Sequence, residues 1–294
     1  MGLFPKISTS QLANSKRRVG GQNFYVDGSY GSDSSPGNRP EKPFLTLQKA
    51  LNSCTAGLWD TIYITGGAIA GETTPFVLNK SCVRIIGDPY AVPQQSTNCA
   101  VIATGDTDVF TFAATDVSIS GFSLYAGATA AGVGFSSVAW SQRNLIEKCA
   151  FVVGGYGVYA GITADSPGHH LTIQDCLFMG SMGALGGINI SSNGSWELIQ
   201  RNHFDLLVGG NIVLAPSGVN AGRICNNTFM LQSDTEGKAI TLGANCARFM
   251  VWNNLANDAS VGAITANPYL DNGTTNVWAG NTKGGGAWTG IAPA

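Results

Sequence analysis

Leu171-Thr-Ile-Gln-Asp-Cys-Leu-Phe178 comes back 26 residues later as Glu197-Leu-Ile-Gln-Arg-Asn-His-Phe204, and again as Gly222-Arg-Ile-Cys-Asn-Asn-Thr-Phe229. The pattern extends both ways from there. Taking Ile119, Ile146, Ile173, Ile199, Ile224, Val251 and Val277 as anchors, the spacings are 27, 27, 26, 25, 27 and 26 residues. Five positions after an anchor stand Leu124, Phe151, Phe178, Phe204 and Phe229. Three positions after stand Phe122, Cys149, Cys176, Asn202, Asn227 and Asn254. Three columns in one register mean stacked units, each burying its apolar face against the next.

The units read as strands. Leu171–Phe178 and Arg223–Phe229 are short, rich in apolar and β-branched residues, and bounded by Gly, Asn and Ser. A further short strand follows in each unit, at Gly132–Ser136, Gly157–Ile162, Gly187–Ser191, Asn211–Leu214, Ala239–Leu242 and Ala263–Ala266. At about 3.3 Å per residue, one repeat suffices for a turn of two or three strands, returning about 4.8 Å along an axis. Inside such a coil, like side chains stack on like. The Asn column suits a sharp left-handed corner. Its amides can also bond from turn to turn as a ladder, with Cys149 and Cys176 standing in for Asn in earlier turns.

On these columns the chain resembles the right-handed parallel β-helix superfamily, the pectate-lyase-like fold, over residues 22 to 283. The resemblance implies an all-β, single-stranded right-handed parallel β-helix, with crossovers of the usual hand. The stretch from Phe24 to Leu51 reads as a strand, a Gly/Ser/Pro loop and a short helix from Leu45 to Ser53. It resembles the N-terminal module at the head of many β-helix proteins, including phage tail spikes and surface polysaccharidases. Physically it is a cap, since an open coil end exposes apolar side chains and unpaired strand edges. Asp27 and Asp33 in its loop lack EF-hand spacing and read as a turn cluster.

Composition agrees with an all-β solenoid. Of 294 residues 39 are Gly, and only 12% are charged. A net charge of −2 gives no general nucleic-acid footprint. No 18-residue apolar run suggests a membrane span. Seven cysteines without CxxC spacing argue for packed thiols rather than a disulfide framework or a zinc site. No P-loop, GxSxG or dinucleotide motif calls for a cofactor, and no metal site is expected.

Four segments result. Residues 1–21 form a basic arm with Lys6, Lys16, Arg17 and Arg18 and no acid, leaving −6 for the remainder. Such an arm fits docking onto an acidic partner, and residues 1–20 lack the apolar core of a signal peptide. Residues 22–56 are the strand and capping helix, 57–283 the β-helix, and 284–294 a Gly-rich tail. Within the β-helix, Asp60–Gly66 is the first coil strand, Cys82–Gly87 begins the next turn, and Asp88–Asn98 is an inserted loop.

The resemblance implies that a site would lie on the exterior of a parallel sheet, among the outward columns. A glycosidase needs two carboxylates, about 5 Å apart if retaining and roughly 6.5–9.5 Å if inverting. Glu147 with Asp175, or Asp175 with Asp205, are the candidates, and His203 with Asp205 forms a candidate dyad. Lys148, Asp175 and Arg201 read as a surface ion ladder, and His169 and His170 as a solvated loop pair. The resemblance also implies that lyases of this fold use an acidic calcium cluster, and no column gathers three acids. Instead, Val152, Leu177, Met179, Met230, Trp252, Leu255 and Trp278 read as outward and apolar. A strip of this kind marks an interface or, at Trp252 and Trp278, a sugar platform.

The expected function, drawn from resemblance, is a bacteriophage virion surface protein. It would be a non-enzymatic homotrimer serving as decoration protein, spike or fibre, attached to other virion proteins by its arm, and touching host surface glycan. A polysaccharide-degrading lyase or glycosidase and a binding-only carbohydrate module stay open as alternatives.

Overall fold

The computed structural model describes residues 20–66, 72–87, 99–125, 131–135, 141–152, 160–164, 168–180, 186–191, 194–207, 211–214, 219–231, 238–258, 267–284 and 289–290. The arm residues Lys6, Lys16, Arg17 and Arg18 and the loop 88–98 lie outside these.

Three long sheets wrap one axis. The first has ten strands, from Asn23–Asp27 and Asp60–Gly66 through Ser118–Ser120, Leu145–Glu147, Thr172–Gln174, Leu198–Gln200, Arg223–Cys225 and Met250–Trp252 to Val277–Ala279. The second follows each of these from Ser118–Ser120 onward after a two-residue corner, for example Leu177–Met179 and His203–Leu207. The third holds Phe76–Leu78 through Gly186–Ile190 to Tyr269–Asp271. The coil pairings are parallel, with register shifts at Val26/Asp27 and Asp205/Leu207, and Ile119, Ile146, Ile173, Ile199, Ile224 and Val251 are successive partners. The fold is the parallel β-helix expected from the repeat.

The phenylalanine pile is the centre of that coil. Phe151, Phe178, Phe204 and Phe229 stack at centroid separations of 4.7, 4.6 and 4.8 Å, with planes within 4°, 5° and 15° of parallel. All are 0–1% exposed. Each buried ring contributes about 2–3 kcal/mol by area, and stacked pairs add roughly 0.5–1.5 kcal/mol. The third sheet makes room for them with glycine. A Cβ on Gly161 or Gly187 would stand 2.6 Å from the Phe178 ring or 2.7 Å from the Phe204 ring.

The asparagine ladder also forms, one turn longer than expected. The side chains of Asn202, Asn227 and Asn254 donate to the next Asn Oδ1 at 3.1, 3.0 and 2.9 Å, ending on Asn281. Their other amide hydrogens go to Ile173, Ile199 and Ile224 carbonyls, and the same Oδ1 atoms accept backbone N–H groups. The buried amides are thereby satisfied throughout.

Four sequence expectations change. The left-handed corner is not the Asn column. It is the residue before, where Lys148, Asp175, Arg201, Asn226 and Asn253 have φ of 53–57° and Gly121 and Gly280 have 78° and 63°. Asn sits one step on because its role is to bond along the axis rather than to turn. The last anchor is Trp278, not Val277: Val251 pairs with Trp278, and Val277 is 58% exposed. The last third-sheet strand is Tyr269–Asp271, whereas Ala263–Ala266 lies outside the described residues. The capping helix runs Leu47–Ser53, because Thr46 is its N-cap, accepting from Lys49 N. Glu72 takes the free Leu47 and Gln48 amides, and Lys80 Nζ donates to the carbonyls of Leu51, Asn52 and Cys54. Both ends of this two-turn helix are therefore satisfied from the coil beneath it.

Candidate functional site

From Ser118–Ser120 onward each turn carries two left-handed corners. One follows the first-sheet strand. The other stands three residues before the anchor, where Trp59, Cys82, Asp116, Arg143, His170, Trp196, Ala221, Arg248 and Thr275 all have φ between 53° and 68°. The residue after this corner turns inward. Between the two corners lies the exterior of the first sheet.

That exterior is crossed by a hydrogen-bonded row. Glu147 accepts from Gln174 Nε2 at 2.9 Å, and Gln174 Oε1 accepts from Gln200 Nε2 at 2.9 Å. Gln200 Oε1 in turn lies 3.9 Å from the Cys225 sulfur. Asp175 sits on the corner beside this row. Arg201 grips it with two bonds, of 2.7 and 2.8 Å. Asp116 is held by Arg143 in the same way at the other corner, through Nε at 2.7 Å and through NH2. The Arg143 guanidinium holds the Asp116 carboxyl below its usual range. The pair Asp175–Arg201 is the ladder expected from sequence; Lys148 continues that column as an exposed side chain.

The candidate catalytic residues are thus dispersed. Glu147 lies on the first-sheet exterior, half-buried and bonded to an amide. Asp175 is at a corner and ion-paired. His203 and Asp205 lie on the second sheet, opposite Leu177 and Met179 of the turn above, with no hydrogen bond joining the two. Among the described residues, no three His, Cys, Asp or Glu side chains converge as a metal ligand set. No helix among them is long and apolar enough to cross a membrane.

The expected apolar strip divides. Met179, Met230 and Leu255 are half-buried on the second sheet, and Trp252 is half-buried on the first. Leu177 is buried at 3% exposure and so offers no free surface. Trp278 turns inward, against Tyr269 at 5.9 Å, with its Nε1 donating to Asp271 at 2.8 Å. The one-residue shift of the last anchor is the reason, because it moves Trp278 from the outward to the inward face. The apolar side chains that are open are others. Met250 and Val277 are 49% and 58% exposed, side by side on the first sheet near Trp252. Trp196 is 61% exposed and Trp59 46%. Trp196 stacks on His170 at 6.3 Å and 10°, and Arg84 lies 5.1 Å over Trp59. Sequence reasoning passed over this corner column, although subtracting three from each anchor yields it.

No protein-family model and no curated protein sequence matches the chain. Solved structures do. ORF18 of Geobacillus virus E2 aligns with a TM-score of 0.56 at 13% identity, covering 94% of this chain and 63% of that one. The likeness is one of fold, a stack of parallel strands. Pectin methylesterase PemA from Erwinia chrysanthemi aligns at TM-score 0.46 and 12% identity, covering 80% of this chain and 79% of that one. A rhamnogalacturonan lyase aligns at 0.45 and 17%, covering 90% and 74%. The chain spans under two thirds of the viral protein's length, 63%.

Proposed function

We propose that this β-helix is a bacteriophage virion surface protein, a structural homotrimer whose coils pack side by side, joined to other virion proteins through Lys6, Lys16, Arg17 and Arg18. The observation that carries the reading is the open apolar face at the C-terminal end of the first sheet, where Met250 and Val277 stand exposed beside Trp252. Adjacent large apolar side chains left in water are the mark of an interface. The fold likeness to a viral ORF product over 94% of the chain supports the same assignment. The outward carboxylates support it too, since Glu147 and Asp175 are committed to a neighbouring amide and a guanidinium.

Sedimentation of the purified chain is expected to give a trimer, and Met250→Asp with Val277→Lys to give folded monomers. Deleting residues 1–20 is expected to abolish particle attachment while leaving the trimer. A wild-type monomer, or attachment without the arm, overturns the proposal. The rival is an enzyme on a surface polysaccharide. It requires oligosaccharide release from host glycan that is lost in Glu147→Gln or Asp175→Asn, and detecting such release would replace the structural reading.

A further inference from the structure

The inward column three residues after the first-sheet anchors changes its chemistry along the coil. From Asn202 to Asn281 it is linked turn to turn by side-chain amides. In the earlier turns the same column holds Cys99, Phe122, Cys149 and Cys176. Backbone bonds one turn apart fix that order: Ser123 N donates to Cys99 O, Ala150 N to Phe122 O, Leu177 N to Cys149 O and His203 N to Cys176 O. Cys149 and Cys176 therefore occupy successive rungs, and Phe122 separates them from Cys99. Cys225, by contrast, has Gln200 and Trp252 as its neighbours.

Side chains in this column point along the axis. Asn202 Nδ2 reaches Ile173 O of the turn before at 3.0 Å as well as Asn227 of the turn after. Cys176 does the same with sulfur. Its Sγ lies 3.7 Å from Ile146 O, in the turn that carries Cys149, and 3.3 Å from Gln174 O of its own turn. Cys149 Sγ lies 3.3 Å from Glu147 O, and its thiol adjoins that of Cys176. The two Cα atoms are one strand spacing apart, about 4.8 Å, inside the roughly 4.4–6.8 Å that a disulfide spans. Both residues are free thiols, at 0% and 2% exposure. Burial holds the Cys176 thiol well above its ordinary range. Since the thiolate is the nucleophile, the closed coil keeps the pair inert, and reaction belongs to the stage before the turns close over it.

We propose that Cys149 and Cys176 are a disulfide-forming pair, a covalent rung that carries the asparagine ladder on by one turn when the chain folds in an oxidising environment. The oxidant is a small-molecule disulfide of the glutathione class. While the turn is open, one cysteine thiolate attacks that disulfide, forming a mixed disulfide and releasing one small thiol. The other cysteine gives its proton to solvent and attacks the protein-side sulfur, releasing the second small thiol. Two protein thiols are thereby oxidised to one S–S bond, and the small disulfide is reduced to two thiols. The bond joins positions 27 residues apart. It restrains the unfolded chain and clamps the turn of Ile146 to that of Ile173. The inference does not depend on the virion reading, because it concerns the coil itself.

Refolding the full chain from denaturant in a buffer of reduced and oxidised glutathione, beside a sample kept in dithiothreitol, tests it. Peptide mapping without reduction is expected to find Cys149 joined to Cys176 in the first sample and the remaining cysteines free. That sample is expected to melt about 5–10 °C above the one in dithiothreitol. In the folded chain the bridge is expected to resist dithiothreitol, and in denaturant to yield to it, because its sulfurs are buried. Cys149→Ala and Cys176→Ala are each expected to remove the link and bring the two melting points together. Cys82→Ala, at a half-exposed corner cysteine, is expected to keep both the link and the difference. The wild-type comparison stands even where a variant fails to fold. Free Cys149 and Cys176 in the glutathione sample, a different pairing, or a linked chain that melts at or below the reduced one overturns the proposal.

Discussion

At the scale of the residue, the inward position two before each anchor shows what the coil demands of a buried polar group. Asn144 Oδ1 accepts from Val117 N at 2.9 Å, Asn276 Oδ1 from Phe249 N at 2.9 Å, and Asp60 Oδ1 from Gln22 N at 2.6 Å. In each case the side chain reaches back one turn to a backbone amide. Glu197 occupies the same column, is 1% exposed, and neither of its carboxylate oxygens has a partner. It is one methylene longer than Asn or Asp, which the short reach to the amide above does not accommodate. Burial pushes its carboxyl up to about 8 from 4.5. The carboxyl therefore stays protonated in the folded chain where the unfolded chain has already ionised. Stability from this source is complete below about pH 4.5 and declines as pH rises, until it is lost above about 8. The Cys246 thiol close by is likewise raised by burial and stays neutral across that window. Glu197→Gln is expected to melt close to wild type at pH 4.5. By pH 9 it is expected to be more stable by a few kcal/mol, on the order of 4 for a shift of this size, as read by thermal melts across pH. In the Asn ladder the sign is opposite. Asn227→Ala removes the acceptor of the Asn202 side-chain and backbone N–H groups, and a donor to the Ile199 carbonyl and to Asn254 Oδ1, in a dry interior. It is expected to cost about 2–4 kcal/mol, seen as a lowered denaturation midpoint.

At the scale of the element, the glycines of the third sheet and the phenylalanines of the second are one design. Phe204→Ala is expected to destabilise by about 3–5 kcal/mol. Gly187→Ala adds only a methyl, but that methyl meets the Phe204 ring at 2.7 Å and the Asn211 carbonyl at 2.8 Å. It is expected to be destabilising alone and only partly relieved in a Phe204→Leu background, which removes the ring edge but leaves the Asn211 carbonyl; denaturation midpoints of the two single variants and the double decide this. Here the sequence was informative. The Ile, Phe and Asn columns predicted sheets, register and pile, because a coil imposes one residue type per position along its length. It was less informative where one residue served two constraints. Asn was assigned to the turn because Asn tolerates positive φ, yet the turn accepted Lys148, Asp175 and Arg201. A β-branched Val277 looked like an anchor, and only the pairing of Val251 with Trp278 shows the slip. One displaced residue carried Trp278 from the outward to the inward face, as the two-residue side-chain period requires.

At the scale of the whole molecule, the chain behaves as a one-dimensional stack in which each turn contacts its neighbours. Excising one full repeat, residues 172–197, joins Leu198 to Leu171, so that the strand Leu198–Gln200 takes the place of its parallel partner Thr172–Gln174. The shortened chain is expected to fold with unchanged strand content per residue by circular dichroism, whereas removing one residue from the middle of a strand is expected to abolish the cooperative melt. The exterior was barely legible in the sequence. Which carboxylates find partners, and which arginines do not, depends on neighbours 25–27 residues away on side chains long enough to choose.

The claim beneath all of this is that rings one turn apart touch and rings two turns apart do not. Double-mutant cycles measure it directly. Phe178→Leu with Phe204→Leu, at a 4.6 Å centroid separation, is predicted to show a coupling of about 0.5–1.5 kcal/mol. Phe178→Leu with Phe229→Leu is predicted to be additive within experimental error. Additivity in the neighbouring pair, or equal coupling in both, would contradict the coil.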